Sequence, residues 1–178
     1  MTVYLTGQGT AQEQEPSRGV VFVHSCPRAL SPHLEWALAS VFATEVHIDW
    51  ADQPISPGSV RAEIIWAAAP GTGARLASAL LAFSQVRYEV TEDAMPGRDG
   101  ERFAATPSLG LFRATIGPFG DVMVHEERLR SAISHAQITG DSMIDEVARL
   151  IGTPWDDELE PFRSAHEGST VRLMHQVV

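Results

Sequence analysis

The sequence predicts an α+β fold, a βαββαβ core followed by a C-terminal β-hairpin and a two-helix extension. Three observations carry this prediction. The run Val20-Val21-Phe22-Val23 is apolar at every position, which suits a central strand covered on both faces. Over residues 19–92 the apolar pattern switches between a period of two and a helical stripe, in the order strand, helix, strand, strand, helix, strand. That order is the split-βαβ, ferredoxin-like pattern. Beyond it, Gly117-Pro118-Phe119-Gly120 lies between two strand-like runs, a hairpin signal.

Each element has its own reason. Residues 1–18 open with Val3-Tyr4-Leu5 and continue into a polar, turn-rich stretch, which reads as a flexible arm or an added edge strand. Ser31 and Pro32 start a helix whose stripe is Leu30, Leu34, Ala37, Leu38, Val41 and Phe42. Val46 to Trp50 alternates as a strand. Val60 to Trp66 alternates again, with Arg61, Glu63 and Ile65 on the second face. Pro70-Gly71-Thr72-Gly73 opens a second helix with Leu76, Leu80 and Phe83 in its stripe, and Val86, Tyr88 and Val90 alternate with Arg87 and Glu89. The second sheet face should therefore carry His24, Arg61, Glu63, Arg87 and Glu89, with the hairpin covering it. Residues 93–102 read as a polar loop. A helix is expected over about 126–136. Another starts at Asp141, buries Ile144, Val147, Leu150 and Ile151, and stops at Gly152. Val171 to Val178 reads as a last strand. Residues 19–178 form one domain, with 19–92 as core and 93–178 as extension.

The chain has 178 residues, 13 basic and 23 acidic, for a net charge of −10. All 13 cations are arginine, because the sequence holds no lysine. Schiff-base chemistry on lysine, the P-loop lysine and the kinase lysine are thereby excluded. A charge of −10 with scattered arginines argues against nucleic acid. From Asp141 to Glu167 eight acids face only Arg149 and Arg163, so six of the ten net negative charges fall there. One cysteine fits a reducing cytoplasm. No apolar run approaches the roughly 20 residues of a membrane span, and no signal peptide is visible.

Cys26 and His24 are the weak catalytic candidates, a thiol two residues from an imidazole after the first strand. No nucleophile signature surrounds them, and a small, partly buried cysteine is the simpler reading. His47 with Asp49, and His125-Glu126-Glu127, match no ligand spacing, so no metal and no cofactor are expected. Arg28 lacks a Gly-rich cradle. The least generic stretch is Pro154-Trp155-Asp156-Asp157-Glu158-Leu159-Glu160-Pro161-Phe162-Arg163. It reads either as an extended strap laying Trp155 and Phe162 on the core or as a partner-binding edge. In the second reading Trp155, Asp156, Asp157, Glu158, Phe162 and Arg163 meet a basic partner. Arg102, in the Gly100–Gly110 loop, shares that ambiguity.

Several stretches resemble a known family: Val23-His24-Ser25, Pro27-Arg28-Ala29-Leu30, His33-Leu34-Glu35-Trp36-Ala37, Asp49-Trp50, Thr106-Pro107-Ser108-Leu109-Gly110, the 154–163 stretch, and the ending Arg172-Leu173-Met174-His175-Gln176-Val177-Val178. They are similar to the actinobacterial domain-of-unknown-function family number 3145, from about Gly19 to the C-terminus. The resemblance implies a cytoplasmic protein with no established reaction. Its members' association with fatty-acid-synthesis genes implies a place in lipid-precursor metabolism, and it supplies no catalytic residue. The expectation is a non-catalytic regulatory or adaptor protein that binds an enzyme of fatty-acid or acyl-CoA metabolism, with an acyl-CoA carboxylase as the sharpest guess. A small-metabolite-binding module is the alternative, and a Cys26/His24 hydrolase or transferase stands behind it. A homodimer is expected only from the tendency of exposed sheet edges to pair.

Overall fold

In the computed structural model the alternating patterns become one eight-stranded sheet with helices on both faces. The structure describes residues 2–6, for their backbone, and 15–165. In chain order the elements are β1 (Thr2–Thr6), β2 (Ser17–Pro27), α1 (Ser31–Phe42), β3 (Ala51–Asp52), β4 (Ser59–Ala68), α2 (Thr72–Leu80), β5 (Arg87–Glu92), β6 (Gly100–Thr106), β7 (Gly110–Ile116), β8 (Val122–Met123), α3 (Glu126–Thr139), α4 (Met143–Ile151) and α5 (Thr153–Ser164). The strand order is β1-β4-β2-β5-β6-β7-β8, with β3 also on β4. Every pairing is antiparallel except β1 with β4.

The apolar run of β2 lies at the centre, between β4 and β5. Val21 and Val23 join Ile64, Trp66, Tyr88 and Val90 in the core that Leu34, Leu38, Leu76 and Leu80 of α1 and α2 cover. Burying such a cluster is the main favourable term for a chain of this size. Gly19 makes the centre tight: a Cβ there would lie 1.9 Å from the Thr91 carbonyl oxygen and 2.5 Å from the Trp66 ring. At the start of α2, the Glu92 carboxylate accepts from the Gly71 and Gly73 amides, each at 2.7 Å, and from the Ser17 hydroxyl at 2.8 Å. An internal anion thus satisfies the first amides of this helix. Gly73 has no room for a side chain, because its Cβ would meet Glu92 at 2.9 Å.

Several expectations change. No strand forms over Val46 to Trp50, and only Ala51 and Asp52 pair with β4. Val46 and Ile48 are buried as the alternation implies, but Glu35 of α1 accepts from the Ile48 amide at 3.2 Å and the Trp50 indole at 2.9 Å. The segment thus hydrogen-bonds to a side chain, and β1 runs along β4 from Glu63 to Ala67. Gly100 to Thr106 is a strand, not a loop; its polar residues Glu101 and Arg102 pair across to β5 and β7. The hairpin expected around Gly117 to Gly120 forms as β7 and β8, but it extends the sheet beside β6 and does not cover the second face.

That face is covered by α5, which replaces the expected extended strap. Pro154 sits in the first turn, where no amide bond is lost. Trp155, Leu159 and Phe162 recur at helical spacing, and Leu159 is fully buried with Ala104, Phe112 and Ala114. Pro161 is accommodated inside the helix. Among the described residues the extension therefore has three helices, not two. Ser142, not Asp141, caps α4. None of α4 is fully buried, and Ile144 is 80% exposed, because α4 packs chiefly against α3 and α5 and not into the central core. The strand expected over Val171 to Val178 lies outside the described residues. Among the described residues no helix is long and apolar enough to cross a membrane.

Candidate functional site

Register decides which side chains share the second face. Glu89 of β5 lies opposite Phe22 of β2 and Ala104 of β6, and Arg102 stands two residues from Ala104 on that same side. Strand β2 carries a bulge between Val23 and Cys26, which alters the alternation there. Cys26 therefore turns into the core with Val21 and Val23, while His24 turns to Glu89 on the opposite face. The two weak catalytic candidates, two residues apart in sequence, do not come together.

Around Glu89 the structure assembles a buried ionic cluster. His24 Nε2 is 2.6 Å from one Glu89 oxygen. Arg102 donates to the other at 2.8 Å, and Arg163 of α5 binds both, through Nε at 3.1 Å and Nη2 at 2.7 Å. Asp156 closes the cluster, accepting from Arg102 at 2.5 Å and from Arg163 at 2.8 Å. The Glu89 side chain keeps 10% of its exposure, and Arg163 keeps 13%. Burial alone would push the Glu89 carboxyl up; the His24 hydrogen bond and charge, with Arg163, outweigh it and hold the group well below the usual carboxylate range. The same carboxylates raise both arginines, against the opposing effect of burial. These groups are consumed in holding α5 to the sheet.

A second clamp runs beside the first. Glu158 accepts from Arg87 Nε at 3.2 Å, from Thr106 at 2.8 Å and from Ser108. Burial opposes its ionisation, and those hydroxyls and Arg87 prevail, so its carboxyl also lies low. Arg87 rests over the Phe162 ring at 4.8 Å, a cation–π contact. Trp155 packs on Phe112 with ring centroids 5.1 Å apart and donates its indole N–H to the Gly110 carbonyl at 3.0 Å. Of the residues singled out in this stretch, Trp155, Asp156, Glu158, Phe162 and Arg163 all make contacts within the chain, as does Arg102. Asp157 faces solvent, as does Glu160.

Cys26 is fully buried, its Sγ 3.3 Å from the Pro27 carbonyl, and burial pushes its thiol up to about 11. Such a thiol is a poor nucleophile at neutral pH. A different group has metal-ligand chemistry: His135, Asp141 and Glu146 bring one donor atom each within 4.8 Å of one another. The spacing of this set fits no known motif; its signal is a histidine near the end of one helix and a glutamate in the first turn of the next. Glu89 was placed on the correct face, but its partner Arg163, 74 positions away, left no local trace.

Two outcomes follow. Glu89→Gln leaves His24, Arg102 and Arg163 without their shared anion, and is predicted to cost about 3 kcal/mol in urea unfolding at neutral pH. Because folding depresses the Glu89 value, its contribution is full above the unfolded carboxylate value of about 4.3 and fades as pH falls toward the lower folded value. The gap between wild type and Glu89→Gln should therefore narrow from about pH 5 downward; a gap that widens on acidification contradicts the cluster. For Cys26, iodoacetamide at neutral pH should label the native chain far more slowly than the urea-unfolded chain, and equal rates would contradict its burial.

The family model described as "Protein of unknown function (DUF3145)" matches residues 20–176. No curated protein and no solved structure matches the chain. With a match across most of its length, the chain belongs to the DUF3145 family of proteins of unknown function.

Proposed function

We propose that this chain is a non-catalytic regulatory or adaptor protein that acts by binding another protein. One observation carries the reading. Among the described residues, twelve large apolar side chains are exposed, and six of them fall on two helices, Leu129, Ile133 and Ile138 on α3 and Met143, Ile144 and Ile151 on α4. Exposed apolar groups concentrated in this way mark interaction surfaces. Exposed acids accompany the group: Glu127, Asp141 and Asp145 on the same helix pair and its turn, and Asp157 and Glu160 on α5, which packs against α4. A basic, partly apolar surface on a partner complements it.

The reading is supported from the other side by the polar clusters on the second face, whose charges are spent on intramolecular pairs. The partner class is the one the family resemblance implies, an enzyme of fatty-acid or acyl-CoA metabolism, with an acyl-CoA carboxylase foremost. We carry the cytoplasmic location with it. The ferredoxin-like reading of residues 19–92 is part of the same proposal. It is supported by the order β5-β2-β4 with β3 on the outer edge of β4, and by α1 and α2 on one face.

The test is affinity capture with tag-only controls, comparing wild type with Ile144→Asp and with Asp157→Arg. Wild type should enrich a lipid-synthesis enzyme, and each variant should recover at least tenfold less while keeping the wild-type circular dichroism spectrum. Equal recovery by both variants contradicts this surface; the absence of any such enzyme from the wild-type capture contradicts the partner class.

A further inference from the structure

We infer that His135, Asp141 and Glu146 form a binding site for one divalent transition-metal ion of the Zn2+ class. The inference is independent of the protein-binding reading. It starts from three positions that sequence spacing keeps apart. His135 lies near the C-terminal end of α3, Glu146 in the first turn of α4, and Asp141 between them. Gly140, at φ 79°, ends α3 in the left-handed conformation and turns the chain back, so that Asp141 rejoins the other two.

The donor spacing suits such an ion. His135 Nδ1 is 3.4 Å from Glu146 Oε1 and 4.0 Å from Asp141 Oδ2. Bonds of 2.0–2.2 Å in tetrahedral geometry place donors about 3.4 Å apart, so a small side-chain rotation completes the set. The donors are already constrained. Thr139 donates to Asp141 Oδ2 at 2.8 Å, and Arg149 donates to Glu146 Oε1 at 2.6 Å. These are the oxygens that face His135, and each keeps a second lone pair with which it can bind an ion while the contact holds it in place. The Glu146 side chain keeps only 13% of its exposure, whereas His135 and Asp141 keep more than half. One half-sequestered ligand with two accessible ones is an arrangement an ion can enter from solvent.

His135 and Glu146 also line the open cleft between α3 and α4, with Arg128 and Ser131. A coordination position that the three protein donors leave unfilled therefore faces that cleft. An imidazole nitrogen with two carboxylates favours Zn2+ and its neighbours over Mg2+ and Ca2+, which prefer all-oxygen sets. The ion would also tie α3 to α4, a pair whose fully buried residues are Ala132 and Ala136 alone.

The test is isothermal titration of the tag-free full chain with ZnCl2, and separately with MgCl2 and CaCl2. One saturable Zn2+ per chain is expected, with Mg2+ and Ca2+ at least tenfold weaker. His135→Ala and Asp141→Asn should each lower Zn2+ affinity at least tenfold, while His47→Ala and His125→Ala leave it unchanged. Both loss variants change exposed side chains, and circular dichroism verifies their fold. No saturable Zn2+ uptake, uptake that His135→Ala leaves intact, or Mg2+ binding of equal strength would each overturn the assignment.

Discussion

Glu89 brings a full negative charge to a place where its side chain keeps a tenth of its exposure, and everything on the second face of the sheet answers that charge. An unpaired carboxylate at such depth costs several kcal/mol. Here it meets His24 from the central strand, Arg102 from the next strand and Arg163 from α5. The first two are already fixed by the sheet; the third ties in a helix more than seventy residues further along the chain. Asp156 then balances the second arginine. The cluster is thus both an electrostatic requirement and a locating device: α5 can sit in only one register if Arg163 is to reach Glu89 while Leu159 fills its apolar socket.

Much of the first face was legible, because its residues announce themselves by apolar period. Val21 and Val23, the alternation through Ile64 and Trp66, and the stripe of Leu76 and Leu80 all bury as their spacing implies. The same logic misread Val46 to Trp50, where burial is present but a Glu35 carboxylate stands in for a neighbouring strand. It also misread Gly100 to Arg102 as loop, because these strand residues carry charge that is satisfied by ion pairs. Two prolines and four acids disguised α5; proline in a first turn is compatible with a helix, and the acids divide between a buried face and water. Ionic partners far apart in sequence leave no periodic signature, so the central cluster was visible only as single charged residues with a known facing.

The molecule then divides its surface between two kinds of side chain. Over the sheet, polar groups are inward and paired. On α3 and α4, apolar groups are outward, and the same helices carry exposed acids. Helix α5 touches both regions: its inner side is locked to the sheet, and Asp157 and Glu160 stand exposed on it. A protein-binding role asks for this combination, a rigid body presenting a face that its own core does not use.

The central claim is that Glu89 and Arg163 hold sheet and helix together as one energetic unit. A double-mutant cycle of Glu89→Gln and Arg163→Met, read by urea unfolding at neutral pH, measures that coupling most directly. An interaction energy of about 2 kcal/mol or more is expected. Effects that add to within about 0.5 kcal/mol would mean that α5 is held by its apolar contacts alone, and would contradict that claim.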